Sequence, residues 1–260
     1  MENLFLVKIG GALLDDEASL AAFLRDFAAI AGKKILIHGG GKLATDLAQT
    51  LGIETQMVNG RRITDKETLK IVTMVYAGFI NKTMVSGLQA HGCNALGLTG
   101  ADANLILAHK RRDEKIDYGF VGDIDHVNAA ALGQMLDAGF TPVFAPLTHD
   151  GAGNMLNTNA DTIAATLARA LQKHYHTRLV FGFDKKGVLA SNDDNDVIPK
   201  LPEAEYHRLR ELGVISKGML PKLDSAFKAL RAGVQRVLIC HASQLAEALR
   251  GEACGTELIP

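Results

Sequence analysis

An α/β fold on a mainly parallel central sheet is what this sequence predicts, and three observations carry the prediction. Short β-rich apolar runs alternate with amphipathic stretches of helical period along almost all of the 260 residues. The first run, LFLVKI at 4–9, is nearly all apolar, as a strand covered on both faces must be. No internal repeat, low-complexity tract or Pro-rich linker interrupts the pattern. Helices should therefore cover both faces of the sheet, in two lobes that share it.

The elements follow in order. Residues 4–9 are a strand and 17–30 a helix, with Leu20, Phe23, Leu24, Phe27 and Ile30 on one face. Residues 34–37 form the next strand and 42–51 the next helix. A hairpin is expected over 54–63, because Asn59-Gly60 tolerates the positive φ of a tight turn. Thr64-Asp65 is a capping signal for a long helical region running to residue 90. After a strand at 93–98, residues 105–109 and 120–127 flank a polar loop as a second hairpin. A helix at 129–138, a strand at 141–145 and a helix at 160–171 come next. The last third repeats the alternation: strand 178–183, helices 203–212 and 220–232, strand 236–240, helix 243–249 and strand 257–259.

Composition narrows the function. Hydrophobic residues make up 47% of the chain and charged residues 22%, which suits a globular core rather than disorder. Twenty-eight Lys+Arg against 29 Asp+Glu leave a formal charge of −1, so nothing electrostatic recommends nucleic acid or a membrane surface as partner. Cys93, Cys240 and Cys254 are odd in number and far apart, giving neither a CxxC metal spacing nor a disulfide framework. With no signal-peptide pattern and no uninterrupted apolar run near the roughly 18 residues of a span, a reducing cytoplasm is expected.

Two glycine-rich corners suggest anion binding. Lys8-Ile9-Gly10-Gly11 ends the first strand, and His38-Gly39-Gly40-Gly41-Lys42 ends the second and opens a helix. Unshielded backbone N–H groups at a helix N-terminus attract phosphate or carboxylate oxygens, and ligands of open parallel sheets gather at those strand ends. Tight-turn glycines are the plainer alternative; neither corner is a Walker A or GxGxxG motif. Lys8 is the odd residue of an apolar strand. It is either an edge lysine in water or a cation that neutralises an anion at the corner. Lys222 falls in the first turn of a helix, where the dipole disfavours a cation unless a phosphate reverses the sign. Asn159 caps the helix that Asp161 opens; Asp161 either serves the dipole alone or holds lysines in place. Arg62, beside the Asn-Gly turn, could clamp a carboxylate with two parallel hydrogen bonds.

Taken together and in order, VKIGG (7–11), HGGG (38–41), NGRRIT (59–64), GFVGDI (119–124), NTNAD (157–161), GVL (187–189) and GMLPK (218–222) resemble the amino-acid kinase family. The resemblance runs from the first strand to Gly255-Thr256, and HGGG with NGxR is similar to the branch that phosphorylates acylglutamates. It implies a three-layer αβα sandwich of amino-acid kinase type, with 1–172 as the acylglutamate-binding and dimerisation lobe and 173–260 as the ATP-binding lobe. It implies transfer of the ATP γ-phosphoryl group to the side-chain carboxylate of an N-acylglutamate, in arginine synthesis. Lys8 and Lys222 would stabilise the moving phosphoryl group, Asp161 would orient both, and Gly10, Gly11, Gly40 and Gly41 would offer amides. Arg62 and Asn157 would bind the acylglutamate. The runs Asp184-Lys185-Lys186-Gly187-Val188-Leu189 and Val214-Ile215-Ser216-Lys217 match the stretches that contact the nucleotide. Mg²⁺ would travel on the ATP phosphates, and no side chain is assigned as its ligand.

The chemistry suits this division. A carboxylate is already nucleophilic at neutral pH, so positioning and charge stabilisation dominate and no catalytic base is needed. Departures from the family pattern are Lys217 before Gly218, the basic and aromatic run 181–187, and Asp102-Ala103 for the usual Asp-Gly. An added cation could accompany an N-succinyl in place of an N-acetyl group. Family members that form arginine-inhibited hexamers carry an extra N-terminal helix; here the first strand begins by Leu4, so a homodimer without arginine feedback is expected. A catalytically silent binding protein on the same fold is the rival reading. A dinucleotide-dependent oxidoreductase would also suit the alternation but lacks its glycine fingerprint.

Overall fold

A computed structural model describes residues 1–58, 61–191, 193–215 and 219–260. Chain order gives β1 (Asn3–Ile9), the one-turn α1 (Gly11–Leu14), α2 (Glu17–Ala28), β2 (Lys33–His38), α3 (Gly41–Thr50), β3 (Met57–Val58) and β4 (Arg61–Arg62). One continuous helix follows as α4 (Lys66–Val72), a π-helical stretch (Thr73–Ile80) and α5 (Asn81–Ala90). Then come β5 (Ala95–Leu98), β6 (Ile106–Lys110), β7 (Gly122–Val127), α6 (Ala129–Asp137), β8 (Thr141–Phe144), β9 (Leu147–His149), β10 (Met155–Asn157) and α7 (Ala160–Leu171). The chain ends with β11 (His176–Phe183), β12 (Lys200–Pro202), α8 (Glu203–Glu211), α9 (Leu220–Arg231), β13 (Arg236–His241), α10 (Leu245–Arg250) and β14 (Thr256–Ile259).

Eight strands form the central sheet in the order β12-β14-β13-β11-β1-β2-β8-β5. Every neighbouring pair is parallel except β13 with β14. The four strands from the last third of the chain occupy one half, and the four earlier strands the other. The alternating side chains of β1 and β2 feed two separate cores. Leu4, Leu6, Ile35 and Ile37 pack with α7 and α9, whereas Val7, Ile9 and Leu36 pack with α2 and α5. Lys8 shares the parity of Leu6 and so faces α7; His38 shares that of Leu36 and faces the long helix.

A second sheet, β10-β9-β6-β7, packs on α7 and on the long helix. It contains the expected hairpin of β6 and β7 and an antiparallel β9–β10 pair that the sequence reading left out. The arms of the Asn-Gly hairpin pair as expected, Met57 with Arg62 and Val58 with Arg61; Asn59 and Gly60 lie outside the described residues. The long helix starts at Lys66, two residues after Thr64, because Asp65 caps it, accepting from the Thr68 amide at 2.7 Å. By length and composition alone the 25 residues Lys66–Ala90 could cross a membrane. Here their buried residues, Ile71, Val72, Ile80, Met84 and Leu88, pack into the core shared with α2.

Candidate active site

Both glycine corners lie at the C-terminal ends of adjacent strands, β1 and β2, in the middle of the sheet. A cleft of about 220 Å³ opens there, lined by Lys8, Gly10, Gly11, Gly40, Gly41, Arg62, Asn157 and Asp161. Seven residues expected to bind or stabilise anions and the carboxylate expected to orient the lysines, drawn from four parts of the chain, thus share one cavity. Sequence reasoning missed Arg61, Tyr76 and Asn159, which line it too. Arg61 is the neighbour of an expected residue in a two-residue strand, which is too short to show which of its residues face the cleft. Tyr76 carries no distinguishing signal within an apolar helix.

Lys8 is not on an edge. It stands in a central strand between β11 and β2 and is 6% exposed. Its Nζ approaches Asp161 Oδ1 at 2.7 Å. That approach falls outside hydrogen-bond alignment, leaving the buried Oδ1 without an aligned donor. Asp161 stands in the first turn of α7, whose cap is Asn159 accepting from the Thr162 amide at 3.0 Å.

Lys222, from the first turn of α9, meets the same spot. Its Nζ lies 3.8 Å from the centroid of the Phe183 ring, and Lys8 Nζ lies 4.8 Å from that centroid. The distance between the two ammonium groups therefore cannot exceed those two lengths end to end. Burial, and then the charge of Lys8, push the Lys222 pKa down, while Asp161 and Asp184 oppose the shift. Two cations near one ring, of which only Lys8 is paired to a carboxylate among the described residues, leave positive charge for an anion to neutralise.

Arg62 is buried, and its Nη2 donates to the Gly41 carbonyl and to Thr45 Oγ1, both at 2.8 Å. Asn157 Nδ2 donates to Thr64 Oγ1 at 3.0 Å, tying the end of β10 to the residue after the hairpin. Arg61 is half-buried; burial and the neighbouring Arg111 lower its pKa, against the pull of Asp123. Among the described residues, no three His, Cys, Asp or Glu side chains gather as a metal site.

Residues 3–241 match the model of the amino acid kinase family. An acetylglutamate kinase of Parabacteroides distasonis is 56% identical over 94% of this chain and 96% of its own length. The chain belongs to the amino acid kinase family. An acetylglutamate kinase of Cytophaga hutchinsonii is 53% identical over 100% of this chain and 99% of that one. Among solved structures, an N-acetylglutamate synthase of Neisseria gonorrhoeae complexed with coenzyme A and N-acetyl-glutamate superposes with a TM-score of 0.85 at 25% identity. The match covers 99% of this chain but only 59% of that synthase.

The stretches expected to contact nucleotide in this family member are placed differently from the cleft residues. Asp184 lines a second cavity, between α2 and the start of α10. Lys185 and Lys186 turn outward and pair with Asp194 at 2.7 Å and Asn195 at 2.6 Å, so neither ammonium joins the cleft. Gly187 packs on the start of β14, where a Cβ would lie 2.6 Å from Thr256 Oγ1. The Val188 amide donates to that oxygen at 2.8 Å, and Leu189 bridges to Val197. Val214 is exposed and Ile215 is buried in the α7–α9 core. Ser216 and Lys217 lie outside the described residues.

Proposed function

We propose that this protein is an acetylglutamate kinase, transferring the γ-phosphoryl group of ATP to the side-chain carboxylate of N-acetyl-L-glutamate in arginine biosynthesis. The product is N-acetyl-L-glutamyl 5-phosphate. The observation that carries the reading is the meeting of Lys8 and Lys222 over one phenylalanine ring, beside Asp161 and a glycine-lined cleft. The identity with acetylglutamate kinases over nearly whole lengths supports the choice of acceptor.

Each residue then has a task. Arg62 and Asn157 hold the carboxylate and acyl group of the acceptor, and Gly40 and Gly41 offer amides to its oxygens. Gly11 does the same for the phosphates; the Gly10 amide, expected to join it, already donates to the Gly182 carbonyl at 3.2 Å, so Gly10 lines the corner without donating there. Lys8 and Lys222 gather charge as it spreads over the transferring group, and Asp161 fixes both ammonium groups. Asp184 to Leu189, with Val214 to Lys217, are the stretches that the family match assigns to ribose and base. Mg²⁺ would be carried on nucleotide oxygens, where it neutralises charge and shapes the phosphates. Residues 1–172 thus form the acceptor and dimer lobe, and 173–260 the nucleotide lobe. The three free thiols suit a reducing cytoplasm.

A second acceptor is favoured by Arg61. Arg61 lines the cleft as Arg62 does, and its charge is opposed by Arg111. An N-succinyl group, with one more carboxylate than N-acetyl, would satisfy that cation.

Acyl phosphate trapped as hydroxamate, with Mg-ATP and a panel of glutamate, N-acetylglutamate and N-succinylglutamate, tests the proposal. Transfer to N-acetylglutamate is expected to exceed transfer to free glutamate by at least about 100-fold in kcat/KM. A reversed preference between the two acylated acceptors makes the succinyl reading correct. No product with any acceptor leaves a silent member of the fold.

A further inference from the structure

Behind the second glycine corner lies a polar relay to which the reaction as described gives no part. His38 ends β2 at 0% exposure, with Nδ1 2.7 Å from the carbonyl oxygen of Gly39. A carbonyl only accepts, so Nδ1 carries the proton. Nε2 lies 3.3 Å from Nδ2 of Asn81, which also donates to the Val143 carbonyl at 2.9 Å. The Lys82 ammonium, 3.2 Å from Asn81 Oδ1, fixes which end of that amide is which. One tautomer satisfies both ring nitrogens, Nδ1–H donating and Nε2 accepting. Burial pushes the imidazole pKa down to about 4, so the ring is neutral at physiological pH.

The carbonyl held by His38 belongs to the Gly39–Gly40 peptide. With no cis bond in the described chain, that unit is planar and trans, and its N–H points opposite to its C=O. Drawing the carbonyl toward the buried ring turns the Gly40 N–H the other way. Gly40 lines the cleft, and no carbonyl or side chain among the described residues accepts its N–H. The wall opposite is equally particular. At Gly40 (φ +149°) a Cβ would lie 2.4 Å from Ile80 Cδ1 and 3.0 Å from Tyr76 Cδ1, two residues of the π-helical stretch. Asn81 follows that stretch directly, so one wide turn of helix closes on Gly40 and anchors the relay. Wide turns of this kind recur at functional sites.

We propose that His38 and Asn81 are positioning residues for phosphoryl transfer, holding the Gly39–Gly40 peptide through the Nδ1–H tautomer so that the Gly40 amide faces the reacting oxygens. The assignment rests on the kinase reading only for the identity of those oxygens. A peptide free to flip would turn a carbonyl toward the anions, and losing one aimed donor costs about 10²–10³ in kcat.

Two measurements test it. In the wild-type protein, long-range ¹H–¹⁵N spectra of labelled histidine should show His38 protonated on Nδ1 and bare on Nε2 at neutral pH. Its resonance is identified by its loss in His38→Asn. The opposite tautomer, or an imidazolium, overturns the proposal without reference to activity. In kinetics, the amide nitrogen of Asn can take the place of Nδ1 and that of Gln the place of Nε2. His38→Gln should lose about 100-fold in kcat, and His38→Asn should recover at least about tenfold of the loss, with KM for ATP within about threefold in both. Equal kcat in the two variants, or full kcat in His38→Gln, refutes the role even if both are destabilised. Should neither fold, Asn81→Asp puts an acceptor opposite Nε2 and should lower kcat while adding an ionisation to its pH profile; an unchanged profile is the negative result. Absence of transfer to any acylglutamate in the wild type would sink the kinase reading but leave the tautomer result intact.

Discussion

Lys8 is the one charge in an otherwise apolar run, and that oddity is what made it legible. Burying an unpaired ammonium is costly, so its place in a central strand implies a partner, and Asp161 stands 2.7 Å away. The same crowding makes the residue unforgiving. A guanidinium is longer, planar and forked, and would have to share the space between Asp161 and the Phe183 ring. Lys8→Arg should therefore lower kcat by about 100-fold or more while moving KM for the acylglutamate by only a few-fold, measured by hydroxamate trapping. Unchanged turnover would remove Lys8 from the transfer step. Phe183, Tyr76 and Arg61 could not be found this way, because an aromatic in an apolar run and a second arginine in a hairpin break no local rule. His38 bears on stability as well as on the site. Its folded pKa of about 4 lies below the ordinary 6.5, so the unfolded chain takes the proton first. The stabilisation is complete above about pH 6.5 and is lost as pH falls toward 4. Between pH 7 and 5 this one group should cost about 2 kcal/mol, read by denaturant unfolding, and His38→Asn should flatten that part of the slope.

At the scale of elements, the cap of α7 joins stability to chemistry. Asn159 holds the Thr162 amide at 3.0 Å and so fixes the turn from which Asp161 reaches Lys8. Asn159→Ala should lower stability by about 1 kcal/mol, a fall of about 2–4 °C in melting temperature, and should lower kcat with it. Asn159→Asp, which keeps the acceptor, should retain most of both; equal losses in the two variants would show that capping is not the cause. This helix was legible to the residue, residues 160–171 being both expected and observed, because its cap, acidic first turn and apolar face agree. Seven of the eight strands of the central sheet were legible for a similar reason, since their runs show their burial; the three-residue β12 was not expected. What escaped was short or smooth. The strands β9 and β10 have three residues each, too few for an alternation of period two to register. The π-helical turn escaped because Thr73–Ile80 is apolar almost throughout, and a widened turn leaves no mark on a pattern without a polar face. That turn nevertheless builds one wall of the site.

At the scale of the whole molecule, one apolar surface feature among the described residues adjoins an open sheet edge. Met74 and Phe79 are 54% and 66% exposed on the long helix, and β5, packed beside α5, is an open edge of the eight-stranded sheet. Exposed apolar side chains on a helix next to an unpaired strand edge are a surface that a second copy can cover, burying both at once. The homodimer proposed above would use this face. Its consequence reaches the site, because Tyr76 and Ile80 close on Gly40 from the same turns that carry Met74 and Phe79 outward. Covering the outer face would brace the inner one. Light scattering of the wild-type protein at micromolar concentration should give twice the 27.8 kDa chain mass, and Phe79→Glu should shift it toward a monomer. The melting temperature should rise with concentration in the wild type and lose that dependence in the variant. If the wild type is monomeric under those conditions, or Phe79→Glu stays dimeric, the helix face is not the contact and the bracing of Gly40 must come from within one chain.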